Sequence, residues 1–470
     1  MAKKFRANFF YNDHQKDDKS MQLIIKNGLL VANGQVFHGD LAANNGKICA
    51  LGQDLSFLAD KDTLIIDAQD QLVTPGGVDV HAHMSYFVGG CWTSDNFASG
   101  TKAALFGGTT TTMDFVETKA EESMLAALKR RREEAQAQAC TDFSLHMSIL
   151  PHDMERLDEI GAVIAQGCPT FKHYTAYAFT LDDGQLYRSF KEIAKHGGLP
   201  LVHAENWPFI QELIRRCASE GKLEPQNHPL CRPAWAEGEA VRRVLDIAYA
   251  SGAETFLFHQ SCAEDLPQIE RARQRGQIVY AETCPHYTCL DSSIFTKMGP
   301  LPICSPPIRE KGQQEPLAAA LVSGVLDSVS SDHCPFTRAE KNRPDAFFKV
   351  PGGLSSVETR FMLTKDLPNM SLNRWVEVCC TNPARIVGLK NKGALQIGFD
   401  ADIVIWSQEP YTITSDTLHE KADWSPYEGR QVSAKPETVI VRGQVLIKNG
   451  QFLGKPGCGQ YQKRAVHRNI

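Results

Sequence analysis

The feature that most constrains this chain is a regular alternation of short apolar runs with helical stretches between residues 75 and 391. The apolar runs have the length and composition of buried strands. Strands that alternate with helices pair in parallel, and eight of them predict an α/β fold, a TIM-type (β/α)8 barrel. The eight runs are GGVDVHAH, TTTTMDFV, FSLHMSIL, TFKHYTAY, PLVHAEN, TFLFHQS, QIVYAETC and LDSVSSDH.

Both ends of the chain follow a different pattern. Residues 21 to 74 contain short β segments separated by Asn-Gly and other glycine turns, and residues 392 to 450 return to this pattern. We therefore expect the two ends to pair into one small β-sandwich domain, with the barrel domain, residues 75 to 391, inserted between them. Residues 1 to 20 are interpreted as a disordered extension. Residues 451 to 470 form a C-terminal tail that is too polar to be core and is able to reach a neighbouring subunit.

Composition limits the partners of this chain. A net charge of -5 offers no excess of basic residues to neutralise phosphates, so nucleic acid is not an expected partner. No apolar run approaches the roughly 20 residues that a membrane span needs, and no secretory leader is recognisable. The 14 cysteines form no C-x-x-C pair and are interpreted as reduced. These features predict a cytoplasmic protein that acts on a small molecule.

Polar side chains close several of the apolar runs. In a barrel of this type the active site gathers at the carboxyl ends of the strands. Imidazole and carboxylate are the ligands that borderline cations such as zinc prefer. A single histidine at a strand end is more often structural, but the joint placement of several such residues predicts a metal centre. The residues are His81 and His83 on the first strand, Lys172 on the fourth, His203 on the fifth, His259 on the sixth and Asp332 on the eighth.

Lys172 needs a separate explanation. A protonated amine, with an ordinary pKa of about 10.4, repels cations and is no metal ligand. The residues alone therefore indicate a lysine that is held by a salt bridge inside the barrel.

Long segments of the chain resemble the dihydropyrimidinase and hydantoinase family of the amidohydrolase superfamily. The resemblance covers essentially everything from Met21 onward. It implies hydrolysis of the cyclic amide bond of dihydropyrimidines or 5-substituted hydantoins to N-carbamoyl amino acids, in a homotetramer. The segments that carry it are GGVDVHAHM, TSDNFASGTKAALFGGTTTTMDF, FKHYTAY, AETCPHYTCLD, CSPPIRE, SSDHCPF, TNPARIVGL, GFDADIVIW and ADWSPYEGR.

The resemblance also implies a ligand set. Lys172 would be carboxylated by carbon dioxide to N6-carboxylysine, and its carbamate would bridge two divalent metal ions, expected to be Zn²⁺. One ion would be held by His81, His83, Lys172 and Asp332. The other would be held by Lys172, His203 and His259.

Further roles are implied for residues around these ligands. Asp332 would carry a proton from the attacking water to the leaving nitrogen. Tyr177 would stabilise the oxyanion that forms on the ring carbonyl. Ser305 and Gly352 would contact the substrate through their backbone.

Particular residues distinguish this function from its alternatives. The family usually has Asn-Gly-Gly-Pro-Gly where this chain has GGLSS from Gly352 to Ser356, which leans toward an allantoinase-like hydrolase of cyclic ureides. Dihydroorotase is disfavoured, because Met84 and Ser85 stand where it has an arginine for a carboxylate. A non-catalytic, dihydropyrimidinase-related scaffold protein would have lost metal ligands, and this chain keeps all six. No nucleotide-binding motif of the G-x-x-x-x-G-K-[ST] or G-x-G-x-x-G kind supports a nucleotide enzyme.

Overall fold

The structure of the protein, a computed structural model, describes residues 21–466, so the predicted extension, residues 1–20, lies outside the described residues. The strands of the described part, numbered in chain order, are β1 Leu23–Ala32, β2 Gln35–Asn44, β3 Lys47–Gly52, β4 Leu64–Asp67, β5 Leu72–Pro75, β6 Gly77–Asp79, β7 Phe87–Val88, β8 Cys91–Trp92, β9 Thr109–Val116, β10 Asp142–Ser148, β11 Thr170–Tyr174, β12 Leu199–His203, β13 Thr255–Leu257, β14 Val279–Thr283, β15 Ser328–Val329, β16 Ile403–Trp406, β17 Tyr411–Thr412, β18 Gln431–Val432, β19 Pro436–Val441, β20 Gln444–Lys448 and β21 Gln451–Phe452.

Helices separate the strands of the central region. Local signals explain several ends: Asp182 caps α4 by accepting from the Gln185 N–H at 2.8 Å, and α7 ends at Gly252 with a φ of 71°. The α-helices are α1 Phe97–Phe106, α2 Met124–Gln138, α3 Ile160–Ala165, α4 Asp183–Lys195, α5 Trp207–Ser219, α6 His228–Cys231, α7 Ala234–Ser251, α8 Leu266–Gln274, α9 Pro285–Cys289, α10 Ile294–Met298, α11 Gln314–Ser323, α12 Arg338–Asn342, α13 Arg360–Lys365, α14 Leu372–Val376 and α15 Asn382–Ile386.

Eight parallel strands form the predicted barrel. Their order is β6, β9, β10, β11, β12, β13, β14, β15, so each strand lies beside the next one along the chain. A parallel bridge between Ala82 and His333, just beyond the first and last strands, joins the two ends of the sheet. Every residue of β9, TTTTMDFV, is buried, because β-branched and aromatic side chains suit a strand covered on both faces. The α/β barrel expected from the sequence is confirmed.

The two chain ends form one mixed sheet, as the sequence predicted. Its order is β21, β20, β19, β16, β5, β1, β2, β3, with β4 paired to β1. The antiparallel pair of β5 and β16 brings the two ends together, with Val73 opposite Ile405. Buried aliphatic side chains from both ends, among them Leu23, Val73 and Ile403, pack into one cluster.

The polar tail packs against this chain's own barrel, and its contact with a neighbouring subunit stays a prediction. Up to residue 466 it runs along this chain's own barrel, at the amino ends of the strands. Phe143 N–H donates to the Gln460 carbonyl at 3.0 Å, and Gln462 N–H donates to the Phe143 carbonyl at 2.7 Å. Arg464 is buried and donates to Ser144 Oγ at 2.9 Å. The tail packs in spite of its polarity because its polar groups find hydrogen-bond partners there.

Two further findings concern the helices and the cysteines. In the described part of the chain, no helix combines the length and the apolar character that crossing a bilayer requires. All 14 cysteines lie within the described residues and all are free thiols, as the sequence indicated.

Candidate metal centre and substrate cavity

A cavity of about 290 Å³ opens at the carboxyl ends of the barrel strands. All nine residues that the sequence assigned to the site line it, and they come from six strands or the segments that follow them. They are His81, His83, Lys172, Tyr177, His203, His259, Ser305 and Asp332, together with Gly352 from the GGLSS segment. The barrel therefore brings together residues that lie up to 271 positions apart in the sequence.

The first three ligand candidates converge on one point. His81 and His83 follow β6, and Asp332 follows β15. Asp332 Oδ1 lies 3.1 Å from His81 Nε2 and 3.4 Å from His83 Nε2. Ligand atoms of the three side chains all lie within 4.8 Å of one another. Two imidazoles and a carboxylate at this spacing form a donor set that fits a divalent cation.

His81 is held in place from its far side by Glu282. Its Nδ1 lies 2.9 Å from Glu282 Oε1, and its Nε2 lies 3.1 Å from Asp332 Oδ1. Burial lowers the pKa of His81 well below its usual range, so the ring is neutral and one of its two nitrogens keeps a lone pair. A hydrogen bond between Nδ1 and Glu282 orients the ring so that Nε2 and Asp332 could bind the same cation.

A second pair of imidazoles faces the same cavity. His203 is the last residue of β12, and His259 follows β13, with Nδ1 of His203 at 2.9 Å from Nε2 of His259. His203 Nε2 lies 2.7 Å from Glu205 Oε2. Although burial opposes it, Arg232 and His203 hold the pKa of the Glu205 carboxyl well below its usual range. Glu205 therefore accepts the Nε2–H of His203, which turns the lone pair of Nδ1 toward the cavity.

Lys172 lies between the two groups of ligand candidates. Its side chain is buried, and within the described part of the chain Nζ has no hydrogen-bond partner. The nearest groups include aromatic rings, with the Phe258 ring centroid at 4.0 Å and the Phe115 centroid at 5.6 Å from Nζ. Burial lowers the pKa of Lys172 to about 7, so a large fraction of the amine is uncharged at neutral pH. No salt bridge to Lys172 is found among the described residues, which argues against its structural interpretation.

Tyr177 lines the same cavity as Asp332, and its backbone has a φ of 73°. His259 and Asp332 also have positive φ values, 42° and 47°. Positive φ values are uncommon for residues other than glycine, and three of them occur together in this cavity. Burial raises the pKa of Tyr177, so its phenol stays protonated and can donate a hydrogen bond.

Ser305 and Gly352 form one wall of the cavity. Gly352 has no side chain, and a Cβ at its position would lie 3.9 Å from Ser305 Oγ, which is an ordinary van der Waals distance. The following Gly353 has a φ of 148° and packs so tightly on Cys334 that a Cβ would overlap its carbonyl oxygen. The GGLSS segment is also anchored on its far side, where Ser355 Oγ donates to Glu420.

Three charged residues of the site were missed in the sequence. Glu282 and Glu205 contact His81 and His203, and Arg232 forms an ion pair with Glu205. The two glutamates stand in AETC and HAEN, so a carboxylate inside or beside a buried strand was the available signal. Arg232 follows a short helix and has no comparable local signal.

Comparisons with known proteins agree with this geometry. Residues 72–446 match the amidohydrolase family. The chain is 37% identical to a D-hydantoinase of Geobacillus stearothermophilus and 34% identical to one of Streptomyces coelicolor, covering 95% of this chain in each case and 97% and 99% of the relatives. It resembles the crystal structure of a dihydropyrimidinase from Brevibacillus agri with a TM-score of 0.91 and 35% identity, over 95% of this chain and 99% of that one. The chain therefore belongs to the amidohydrolase family.

Proposed function

We propose that this protein opens the rings of dihydropyrimidines or 5-substituted hydantoins by hydrolysis, which yields N-carbamoyl amino acids. At the coarser level the chain is a cyclic amidohydrolase, in keeping with relatives named D-hydantoinase and dihydropyrimidinase that match it over nearly their whole length. The observation that carries the finer proposal is Lys172, a buried amine without a hydrogen-bond partner among the described residues, flanked by imidazoles and a carboxylate.

The donor set supports two divalent ions, for which we propose Zn²⁺. His81, His83, Asp332 and Lys172 would hold one ion, and His203, His259 and Lys172 the other. Lys172 serves both as its N6-carboxyl derivative, formed when the uncharged amine adds to carbon dioxide and loses a proton. When bound, such ions lower the pKa of water and polarise a carbonyl oxygen.

The side chains of this protein then have separate tasks. Asp332 accepts the proton of the attacking water and returns it to the amide nitrogen as the ring C–N bond breaks. Tyr177 donates its phenol hydrogen to the oxygen that becomes negative when the carbonyl is attacked. The backbone at Ser305 and Gly352 holds the imide edge of the ring, so that the attacked carbon faces Asp332.

An assay with four cyclic substrates tests this proposal. Dihydrouracil, hydantoin, allantoin and dihydroorotate are supplied side by side to enzyme loaded with Zn²⁺ in the presence of bicarbonate. We expect the highest kcat/KM with dihydrouracil or hydantoin. A preference for allantoin would favour the allantoinase-like alternative suggested by GGLSS, and no turnover of any substrate with metal bound would contradict the proposal.

Assembly and location stay predictions of the same proposal. We propose a homotetramer, which light scattering on the purified protein would detect. We also propose a cytoplasmic location, which the free state of all 14 cysteines supports because oxidising compartments favour disulfides.

A further inference from the structure

Arg232 is a charged residue of the cavity that the proposed reaction does not use. It directly follows α6 and lines the same cavity as Tyr177 and His203. Only 5% of its surface is exposed. A guanidinium carries five N–H donors, and donors that lie buried without an acceptor are unfavourable. The partners of Arg232 therefore indicate whether the protein itself uses all of these donors.

The protein uses only one edge of the guanidinium. Nη1 donates to Oε2 of Glu205. Among the described residues, Nε and Nη2 have no hydrogen-bond partner. The Cζ atom lies 5.5 Å from the centroid of the Tyr177 ring and 5.7 Å from that of Trp207. Because aromatic rings contact a guanidinium through its face, the edge formed by Nε and Nη2 is left to a ligand in the cavity.

The position of Arg232 suits the substituent of a substrate rather than its reacting carbonyl. In the proposed function the hydroxyl of Tyr177 faces the attacked carbonyl, whereas Arg232 lies against the ring of that tyrosine. A short chain on the ring carbon next to the carbonyl would extend to the guanidinium edge. Of the lysine and arginine residues, only Arg232 and Lys172 line the cavity in the described part of the chain, and Lys172 belongs to the ligand group.

The charge balance around Arg232 favours a neutral acceptor. Glu205 forms an ion pair with the guanidinium, so the pair as a whole has no net charge. A carboxylate on the substrate would be repelled by Glu205 while it is attracted by Arg232. A carbonyl oxygen would gain the hydrogen bonds without that repulsion.

We propose that Arg232 determines substrate preference by donating hydrogen bonds from Nε and Nη2 to a neutral carbonyl oxygen on the ring substituent. The favoured substrates are then cyclic amides with a carboxamide group on a carbon-linked substituent. This inference rests on the proposed function and adds a substrate class to it.

Three hydantoins of similar size test the inference: those with a carboxamidomethyl, a carboxymethyl or an isobutyl group at C5. We expect wild-type kcat/KM to be at least about tenfold higher for the carboxamide than for the other two, as one charge-assisted hydrogen bond provides. Arg232→Met should bring the carboxamide to isobutyl ratio close to one, and Arg232→Lys, which keeps the charge but not the planar edge, should lower it partly. Both substrates are measured on one preparation, so losses of folded or metal-loaded protein cancel in the ratio.

Arg215→Met is the matched control, because Arg215 is an exposed arginine of α5 whose one ion-pair partner among residues 21–466 is Glu212. This variant should keep the wild-type ratios. A wild-type ratio near one, a ratio that survives in Arg232→Met, or a preference for the carboxymethyl compound would each overturn the inference. In all three cases turnover of unsubstituted hydantoin would leave the proposed function intact. Failure to open unsubstituted hydantoin and dihydrouracil would instead overturn the proposed function, and this inference with it.

Discussion

Two buried lysines lie at opposite ends of the barrel, and their surroundings differ completely. Lys392, at the amino ends of the strands, is 4% exposed and contacts three carboxylates: Asp142 at 2.6 Å, Asp402 at 2.8 Å and Asp400 at 2.9 Å. Lys172, at the carboxyl ends, is 1% exposed, and within the described residues its Nζ has no hydrogen-bond partner. The two lysine side chains are therefore equally buried, and they differ in whether the described residues give the amine an ion-pair or hydrogen-bond partner.

The difference separates a residue that holds the fold together from one kept available for chemistry. The charge of Lys392 is compensated by the protein itself, as a structural ion cluster requires. The amine of Lys172 is left without compensation, which lowers the stability of the protein in the absence of ligands. This comparison predicts opposite consequences when each lysine is replaced by methionine, a residue of similar length without a charge.

The largest expected effect concerns activity. Lys172→Met should lower kcat for hydantoin by about 10³-fold or more, because it removes the ligand shared by both proposed metal ions and the electrostatic stabilisation they provide. Elemental analysis should find less metal per chain than in wild type. Lys392→Met serves as the control and should bind metal normally. If Lys172→Met had the turnover and the metal content of the wild type, the proposed difference in role between Lys172 and Lys392 would be wrong.

The second substitution, Lys392→Met, should change stability rather than activity. Lys392→Met should lower the free energy of unfolding by about 3–5 kcal/mol, since it removes the cation shared by three buried carboxylates. It leaves Asp402 without an ion-pair partner among the described residues, whereas Asp142 keeps Arg442 and Asp400 keeps Lys47. Urea unfolding measures this effect, and kcat per folded enzyme should not change. The matched control is Lys390→Met at an exposed neighbouring lysine, with an expected change within about 0.5 kcal/mol. Equal stability of the two variants would show that the ion cluster is not structural.

Tyr177→Phe tests the catalytic end of the barrel without touching a proposed ligand. Loss of the phenol donor should lower kcat by about 10²-fold and leave KM nearly unchanged, because the hydrogen bond strengthens only as the oxyanion forms. Metal content and the unfolding midpoint should match those of wild type. An unchanged kcat would mean that another group stabilises the oxyanion.

The smallest effect is a gain in stability that depends on pH. At pH 7, metal-free Lys172→Met should be more stable than the metal-free wild type by about 1–3 kcal/mol, because it removes an unpaired buried amine. Burial lowers the pKa of Lys172 from 10.5 to about 7, so between these values the unfolded chain binds the proton and the folded chain does not. The contribution of Lys172 to the free energy of unfolding of the wild type therefore rises with pH. The difference in stability between the wild type and Lys172→Met should become smaller toward pH 10. Urea midpoints at pH 7 and pH 9 measure it, and a gap that widens would contradict this explanation.

Much of the barrel was predictable because its strands are continuous apolar runs. TTTTMDFV coincides with β9, Thr109–Val116, since a strand buried on both faces needs no other signal. The ligand candidates were predictable for a related reason. A histidine or aspartate that closes such a run stands out against apolar neighbours, as His203 does at the end of β12.

Other features depend on tertiary contacts that no local pattern reports. Arg232 reaches Glu205 and Tyr177 only because the loop around α6 folds over the strand ends. The tail looked too polar to pack, but Arg464 is buried because the carbonyl groups of Leu145 in β10 and Val387 after α15 accept its hydrogen bonds. In both cases the partner lies far away in the sequence, so polarity alone suggests an exposed residue.

The most direct test of the central claim is ¹³C NMR of the metal-loaded enzyme prepared with ¹³C-labelled bicarbonate. The chemistry proposed for Lys172 predicts one carbamate resonance in wild type that is absent from Lys172→Met. A fully active wild-type enzyme without a carbamate resonance would show that Lys172 acts as an unmodified amine, and would contradict the proposed bridging ligand.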